Sequence, residues 1–145
     1  MVNGQLAADP EGVLVPGRAV TVSKTVSESD VYLFAGITGD FDPIHVDEMH
    51  AQRTPFGRRI AHGALLLGYM SRASTLIHQG LDRPLAALGF DRVRFVAPVY
   101  LGDTVTITYA VVRTDPDKSR VYADVTAVNQ HGTVVAVATH LQKLL

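Results

Sequence analysis

The pattern of apolar and polar positions divides the chain into a strand, a helix, an irregular polar stretch, a long apolar helix and a run of strands. Structure is expected to begin near Arg18, where "RAVTVSKTV" alternates Val20, Val22 and, less cleanly, Val26 with polar residues. In "SESDVYLFAGITGD" the residues Val31, Phe34 and Ala35 fall on one helical face. Ser27 with Asp30 three residues on makes an imperfect capping box, and Gly39 is well placed to stop that helix. A short helix is expected around Asp47 to Gln52, before Pro55 and Gly57 break the chain.

From Ala61 to Gly80 the apolar residues go almost all the way round a helix, so that helix should be buried by something that wraps it. Four strand-like segments follow, "PLAALGFDRVRFVAPV", "DTVTITYAVV", "SRVYADVTAV" and "TVVAVATHL", separated by turn signals at Gly102, Asp115 to Asp117 and Asn129 to Gly132. Helix segregated from consecutive antiparallel strands is the α+β layer pattern, and a strongly twisted sheet curled about the helix is the simplest way to bury it. Residues 1–17 carry Pro10, Pro16, Gly4, Gly12 and Gly17, which reads as a loose lead-in to a single domain over 18–145.

Composition narrows the function. At 145 residues the chain is long enough for one sizeable core, and 47% apolar with 19% charged residues is ordinary for a globular domain. Thirteen basic against fourteen acidic residues leave no surplus of positive charge for a phosphate backbone, so nucleic acid is not an expected partner. The absence of cysteine excludes a disulfide, a thiol nucleophile and a thiolate metal site. The N-terminus has no charged leader followed by an apolar segment, and no run approaches the length of a membrane span. A soluble, cytoplasmic protein is expected.

The candidate chemistry lies in "TGDFDPIHVDEMH", Thr38 to His50. Its spacing matches none of the common zinc or calcium ligand patterns, so no metal is expected. Asp40 and His45 stand five residues apart across a proline, and both side chains could point at one small volume. A carboxylate and an imidazole sharing a water can take one proton from it and return another. Aspartates beside Gly and Pro also serve as caps and turn formers, and the residues alone leave both readings open. Asp42 and Glu48 read as structural or solvated, and Asp47 as a helix cap. At Gly63 a helix begins, where first-turn amides lack intrahelical partners and could hold an oxyanion; a tight helix start explains the same glycine. Ser71, a lone hydroxyl in an apolar helix, either bonds back one turn or faces the site. His78, His131 and His140 read as ordinary surface or edge residues.

The stretch "AGITGDFDPIHVD" followed by "RRIAHGALLLGYMS" resembles the MaoC-like hydratases, the (R)-specific enoyl-CoA hydratases with a hot-dog fold, and "FVAPVYLGDTVTI" resembles the strand pair that follows in that family. The likeness runs from about Ser23 to the C-terminus. One departure is Asp42, where Asn is frequent. The resemblance implies that Asp40 and His45 activate and deliver water, that the Gly63 amide binds the thioester carbonyl, and that Ser71 matches a hydroxyl near the same pocket. It implies an acyl-CoA substrate, no cofactor and a homodimer or higher homo-oligomer, with the pantetheine arm entering along the interface. The reaction implied is syn hydration of a trans-2-enoyl thioester to the (3R)-3-hydroxyacyl thioester, or its reverse, in fatty acid metabolism. The alternatives are a hot-dog thioesterase, against which the lack of Asp or Glu from Ala64 to Ile77 argues, and a non-catalytic acyl-thioester binding subunit.

Overall fold

Alternation in the four C-terminal segments and in the first one builds a single sheet. The computed structural model describes residue 9 and residues 12–145. Five antiparallel strands, β1 (Ala19–Thr25), β2 (Leu85–Phe95), β3 (Thr104–Asp115), β4 (Arg120–Val128) and β5 (Val134–Leu144), lie in the order β1-β3-β4-β5-β2. Period-two alternation is clean in β4, where Val121, Ala123, Val125 and Ala127 are buried and the residues between them are not. Register irregularities interrupt the ladders at Ala87/Gly89, Asp91/Arg94, Val111/Arg113 and Ala127/Val128. Each adds local bend and twist, which curves the sheet.

Four helices precede the long run of strands: α1 (Glu28–Thr38), α2 (Pro43–Val46), α3 (Glu48–Ala51) and α4 (Gly63–Ile77). The capping box expected at Ser27 is complete: Ser27 Oγ accepts from Asp30 N–H at 3.1 Å and the Asp30 carboxylate accepts from Ser27 N–H at 2.8 Å. Burial pushes the Asp30 carboxyl up, but bonds from Lys24 and Ser27 outweigh it and hold the group below its ordinary range. At the other end Gly39 adopts φ 80°, the left-handed cap that an L side chain resists, and donates to Ala35 O.

α4 lies against β1, β3 and β4, and buries Leu66, Met70, Ala73, Ser74 and Ile77. The core beneath it contains Ile107, Tyr109, Val111, Val121 and Val125, each 1% exposed or less. The wrapping is one-sided. Ala64, Gly68, Ser71, Arg72 and Thr75, on the face away from the sheet, are exposed in the single chain. That face is small or polar, so the large apolar residues of the helix are covered within the chain and the helix is not apolar on every side.

The described part of the lead-in is packed rather than loose. Leu14 is 1% exposed, and the Asp9 carboxylate accepts the Val13 and Leu14 N–H groups at 2.7 Å each. Gly17 N–H donates to Val111 O, extending the β1 side of the sheet. The rest of that lead-in lies outside the described residues.

Candidate active site

The chain leaves α1 through Gly39 and turns at once into the polar stretch. Asp42 is the N-cap of α2, its carboxylate accepting Ile44 N–H at 3.1 Å, and Pro43 is the first helical residue, where a missing N–H removes nothing. This Asp-Pro pair makes a one-turn helix. One turn is enough to aim His45 inward: the residue is 8% exposed although Asp40 to Pro43 are exposed.

His45 Nδ1 lies 2.7 Å from the carbonyl oxygen of Ile60. A carbonyl only accepts, so Nδ1 carries the hydrogen and Nε2 keeps the lone pair. The carboxylate of Asp40, a ring nitrogen of His45 and one of His62 all lie within 4.8 Å of one another. That is the separation at which one water can touch both the carboxylate and the imidazole.

The same three residues do not form a convergent metal cage. His45 Nδ1 and His62 Nε2 are already bonded to the carbonyls of Ile60 and Asp40. The two imidazoles are stacked, centroids 3.8 Å apart and planes 30° apart, so their remaining in-plane lone pairs run side by side instead of meeting about 2.0 Å from both nitrogens.

The other charges of the stretch hold it in place. Asp47 caps α3 by accepting His50 N–H at 3.0 Å, as expected of it. Glu48 accepts from Arg59 Nε at 2.8 Å, and this bond holds its carboxyl below the ordinary range. Arg59 also reaches Glu28 at 2.6 Å and the Tyr32 hydroxyl at 2.9 Å, tying α3 to α1. Asp42, spent on its cap, does not compete with Asp40.

His45 opens onto a cavity of about 380 Å³, lined otherwise by apolar groups: Ile44, Phe56, Ile60, Ala61, Gly63, Leu66 and the segment Phe95 to Val99. Gly63 is the first residue of α4, so its N–H has no intrahelical acceptor. It has a second reason to be glycine. A Cβ there would stand 2.6 Å from two carbons of the Phe95 ring and 2.9 Å from its Cγ, so the root of the ring, not only its tip, would have to move. Alanine favours a helix over glycine by up to about 1 kcal/mol. Because the root of the Phe95 ring would have to yield, Gly63→Ala is nevertheless expected to lower stability by about 1–3 kcal/mol and to lower kcat/KM at least about tenfold, by pushing Phe95 into the cavity wall. Adding Phe95→Leu should recover part of the loss, and steady-state kinetics on the three variants check it.

Ser71 is not brought to this cavity. It is exposed two turns along α4, and its carbonyl accepts the hydroxyls of Ser74 and Thr75. His62, which the sequence reading passed over in favour of Gly63, is 2% exposed and joins Asp40 to His45. The signal that marks it is its place as the residue just before a helix start, with its side chain free of capping duty.

An antiparallel sheet in the order β1-β3-β4-β5-β2 over one long helix, with a carboxylate and an imidazole at the start of that helix, is a hot-dog α+β protein. The chain belongs to the MaoC-like domain family, whose sequence profile matches residues 14–134. It is 44% identical over 102 residues to an (R)-specific enoyl-CoA hydratase of Rhodospirillum rubrum, covering 70% of this chain and 69% of that protein. A 3-hydroxybutyryl-CoA dehydratase of Methylorubrum extorquens is 40% identical over 104 residues, 72% of this chain and 64% of that protein. The matched segment thus spans about two thirds of the length of these relatives. The solved (R)-hydratase of A. caviae superposes with a TM-score of 0.82 at 30% identity, covering 91% of this chain and 98% of that one.

Proposed function

We propose that this chain is a hydro-lyase that adds water to a trans-2-enoyl-CoA to give the 3-hydroxyacyl-CoA, and catalyses the reverse, with Asp40 and His45 as the acid/base pair. The observation that carries this reading is the pair itself: a carboxylate and an imidazole ring nitrogen within 4.8 Å of each other beside an apolar cavity, the imidazole tautomer fixed by the Ile60 carbonyl. In the hydration direction one water lies between Asp40 and His45. The pair takes a proton from it as its oxygen attacks C3, and a proton is delivered to C2 on the same face, giving the (3R) alcohol. Negative charge gathers on the thioester oxygen during attack, and the free Gly63 N–H at the start of α4 is the donor in reach of the cavity. Ser71 stays a substrate-binding candidate only for an assembly that covers the exposed face of α4. No metal and no redox cofactor take part in these steps.

Relatives named for action on enoyl-CoA and 3-hydroxybutyryl-CoA support the substrate class. The test is direct: pure protein with crotonyl-CoA should remove the enoyl absorbance and yield the (3R)-alcohol on chiral analysis. Release of free CoA thiol would replace this reading by thioester hydrolysis. No reaction with short, long or branched enoyl-CoAs would favour a binding subunit.

A cytoplasmic homodimer completes the proposal. β2 is an eleven-residue strand at the sheet edge, with Leu88, Phe95 and Val96 exposed along and just beyond it. An open edge of this length invites pairing with a second copy. Among the described residues no helix is long and apolar enough to cross a membrane. Light scattering should give twice the 15.6 kDa chain mass, and Ala87→Pro on the β2 edge should shift it towards the monomer.

A further inference from the structure

We propose that His62 is a positioning residue for the reaction, a single buried anchor that fixes both members of the acid/base pair from the start of α4. The inference rests on the hydratase reading of Asp40 and His45. These two groups come from segments with little rigidity of their own. Asp40 sits in an exposed turn, where its N–H donates to Thr38 Oγ1 at 3.2 Å and its carboxylate accepts Asp42 N–H at only 3.3 Å. His45 sits on a helix of a single turn. His62 immediately precedes a fifteen-residue helix packed against the sheet, and from there it touches both.

Its Nε2 lies 2.9 Å from the main-chain carbonyl of Asp40. A carbonyl cannot donate, so Nε2–H donates, and it pins the backbone from which the Asp40 carboxylate hangs. The ring meanwhile stacks on His45 at 3.8 Å, blocking one face of that imidazole while the Ile60 carbonyl holds its Nδ1. Phe34, with centroid 4.8 Å away, backs the His62 ring. His45 is thereby fixed in plane by one bond and out of plane by one ring.

The other nitrogen supplies an independent argument. His62 Nδ1 is buried with no hydrogen-bond partner among the described residues. A buried polar atom left unpaired costs stability, and a phenyl ring would fill the same space against Phe34 and His45 without that cost. The imidazole at position 62 is thus not the residue that packing alone selects. What it offers beyond a phenyl ring is the Nε2–H on Asp40. Its Nε2 is committed to the Asp40 carbonyl and its ring face to His45, so it acts through those two residues.

Two variants separate donor from ring. His62→Phe keeps the stack and deletes the donor; His62→Gln deletes the ring and keeps an amide N–H close to the position of Nε2. With crotonyl-CoA, H62F is expected to lose between about 10- and 100-fold in kcat with KM changed by less than about threefold and the melting temperature unchanged or higher. H62Q is expected to regain most of that loss. A folded H62F whose kcat stays within about threefold of the wild type overturns the proposal, and so does H62Q no faster than H62F. Should H62F fail to fold, H62Q alone decides: near wild-type kcat supports the donor role, and a loss of about 100-fold overturns it. Absence of hydration by the wild-type chain would instead sink the functional reading. In that event the crystal structure of H62F still tests the anchor, because an Asp40 carbonyl that moves away supports it and an unmoved one refutes it.

Discussion

Asp40→Asn and His45→Gln are each expected to lower kcat/KM for crotonyl-CoA by about 10²–10⁴-fold while the fold survives. Asp40 is exposed, and among the described residues its carboxylate makes only the 3.3 Å bond from Asp42 N–H, so an amide in its place costs little stability. The loss falls on chemistry, because an asparagine side chain cannot take up a proton. His45→Gln can keep a donor towards the Ile60 carbonyl, which limits damage to the buried site, but it removes the Nε2 lone pair of a residue that lines the cavity. Because the two groups serve one water, the double variant should be scarcely slower than either single one. Losses that multiplied instead would mean that the two residues act in separate steps. Circular dichroism and melting curves beside the kinetics separate lost chemistry from lost structure.

The elements were legible because local signals and the global fold agree in most places. Ser27 and Asp30 announce the start of α1, Gly39 its end, and strict alternation announces β4. The candidate pair was legible at the level of residue type, since a carboxylate and an imidazole flanking a proline suggest acid/base work. What stayed hidden depends on contacts between distant segments. The tautomer of His45 is set by Ile60, fifteen residues on, and the anchor on Asp40 comes from His62, twenty-two residues on. No local pattern encodes either bond. Gly63 was read for its amide, while the demand of the Phe95 ring, from a strand formed much later in the chain, was invisible. The long helix shows a further limit: its apolar residues spread widely enough to suggest burial all round, yet Ala64, Gly68, Ser71, Arg72 and Thr75 leave one small, polar face exposed.

His140 was legible and was misread as an edge residue. Ala136, Ala138, His140, Gln142 and Leu144 follow a period of two, and all five are buried on the helix side of β5. The pattern of β5 therefore placed a histidine and a glutamine in the core, against the habit of assigning polar residues outward. Inside, His140 stacks on Phe90 with centroids 4.1 Å apart, and its Nδ1 lies 3.0 Å from the Tyr109 hydroxyl, which donates to Gln142 Oε1 at 2.8 Å. The hydroxyl has one hydrogen and spends it on Gln142, so Nδ1–H donates to the hydroxyl oxygen and Nε2 is left bare and buried.

That arrangement predicts a specific weakness to acid. Burial pushes the His140 imidazole down from 6.5 to about 4, and among the described residues no carboxylate contacts the ring to offset it. Above pH 6.5 the ring is neutral in both folded and unfolded chains and contributes no pH dependence. Below it the unfolded chain binds a proton that the fold refuses, so stability falls with falling pH until the folded ring also titrates near pH 4. A shift of this size corresponds to roughly 3 kcal/mol, a large share of the stability of a typical domain. His78, also lowered by burial, adds to the slope with the same sign, whereas Asp30 and Glu48, held below 3.8 and 4.5, act only in stronger acid. Urea unfolding at pH 7.5 and 4.5 should therefore show a steep loss for the wild type and a much shallower one for His140→Leu. Tyr109 keeps its bond to Gln142 in that variant, so the difference between the two slopes isolates the imidazole. Equal slopes would mean that the proton enters elsewhere, and the buried ring would then have to be reached by water at Nε2.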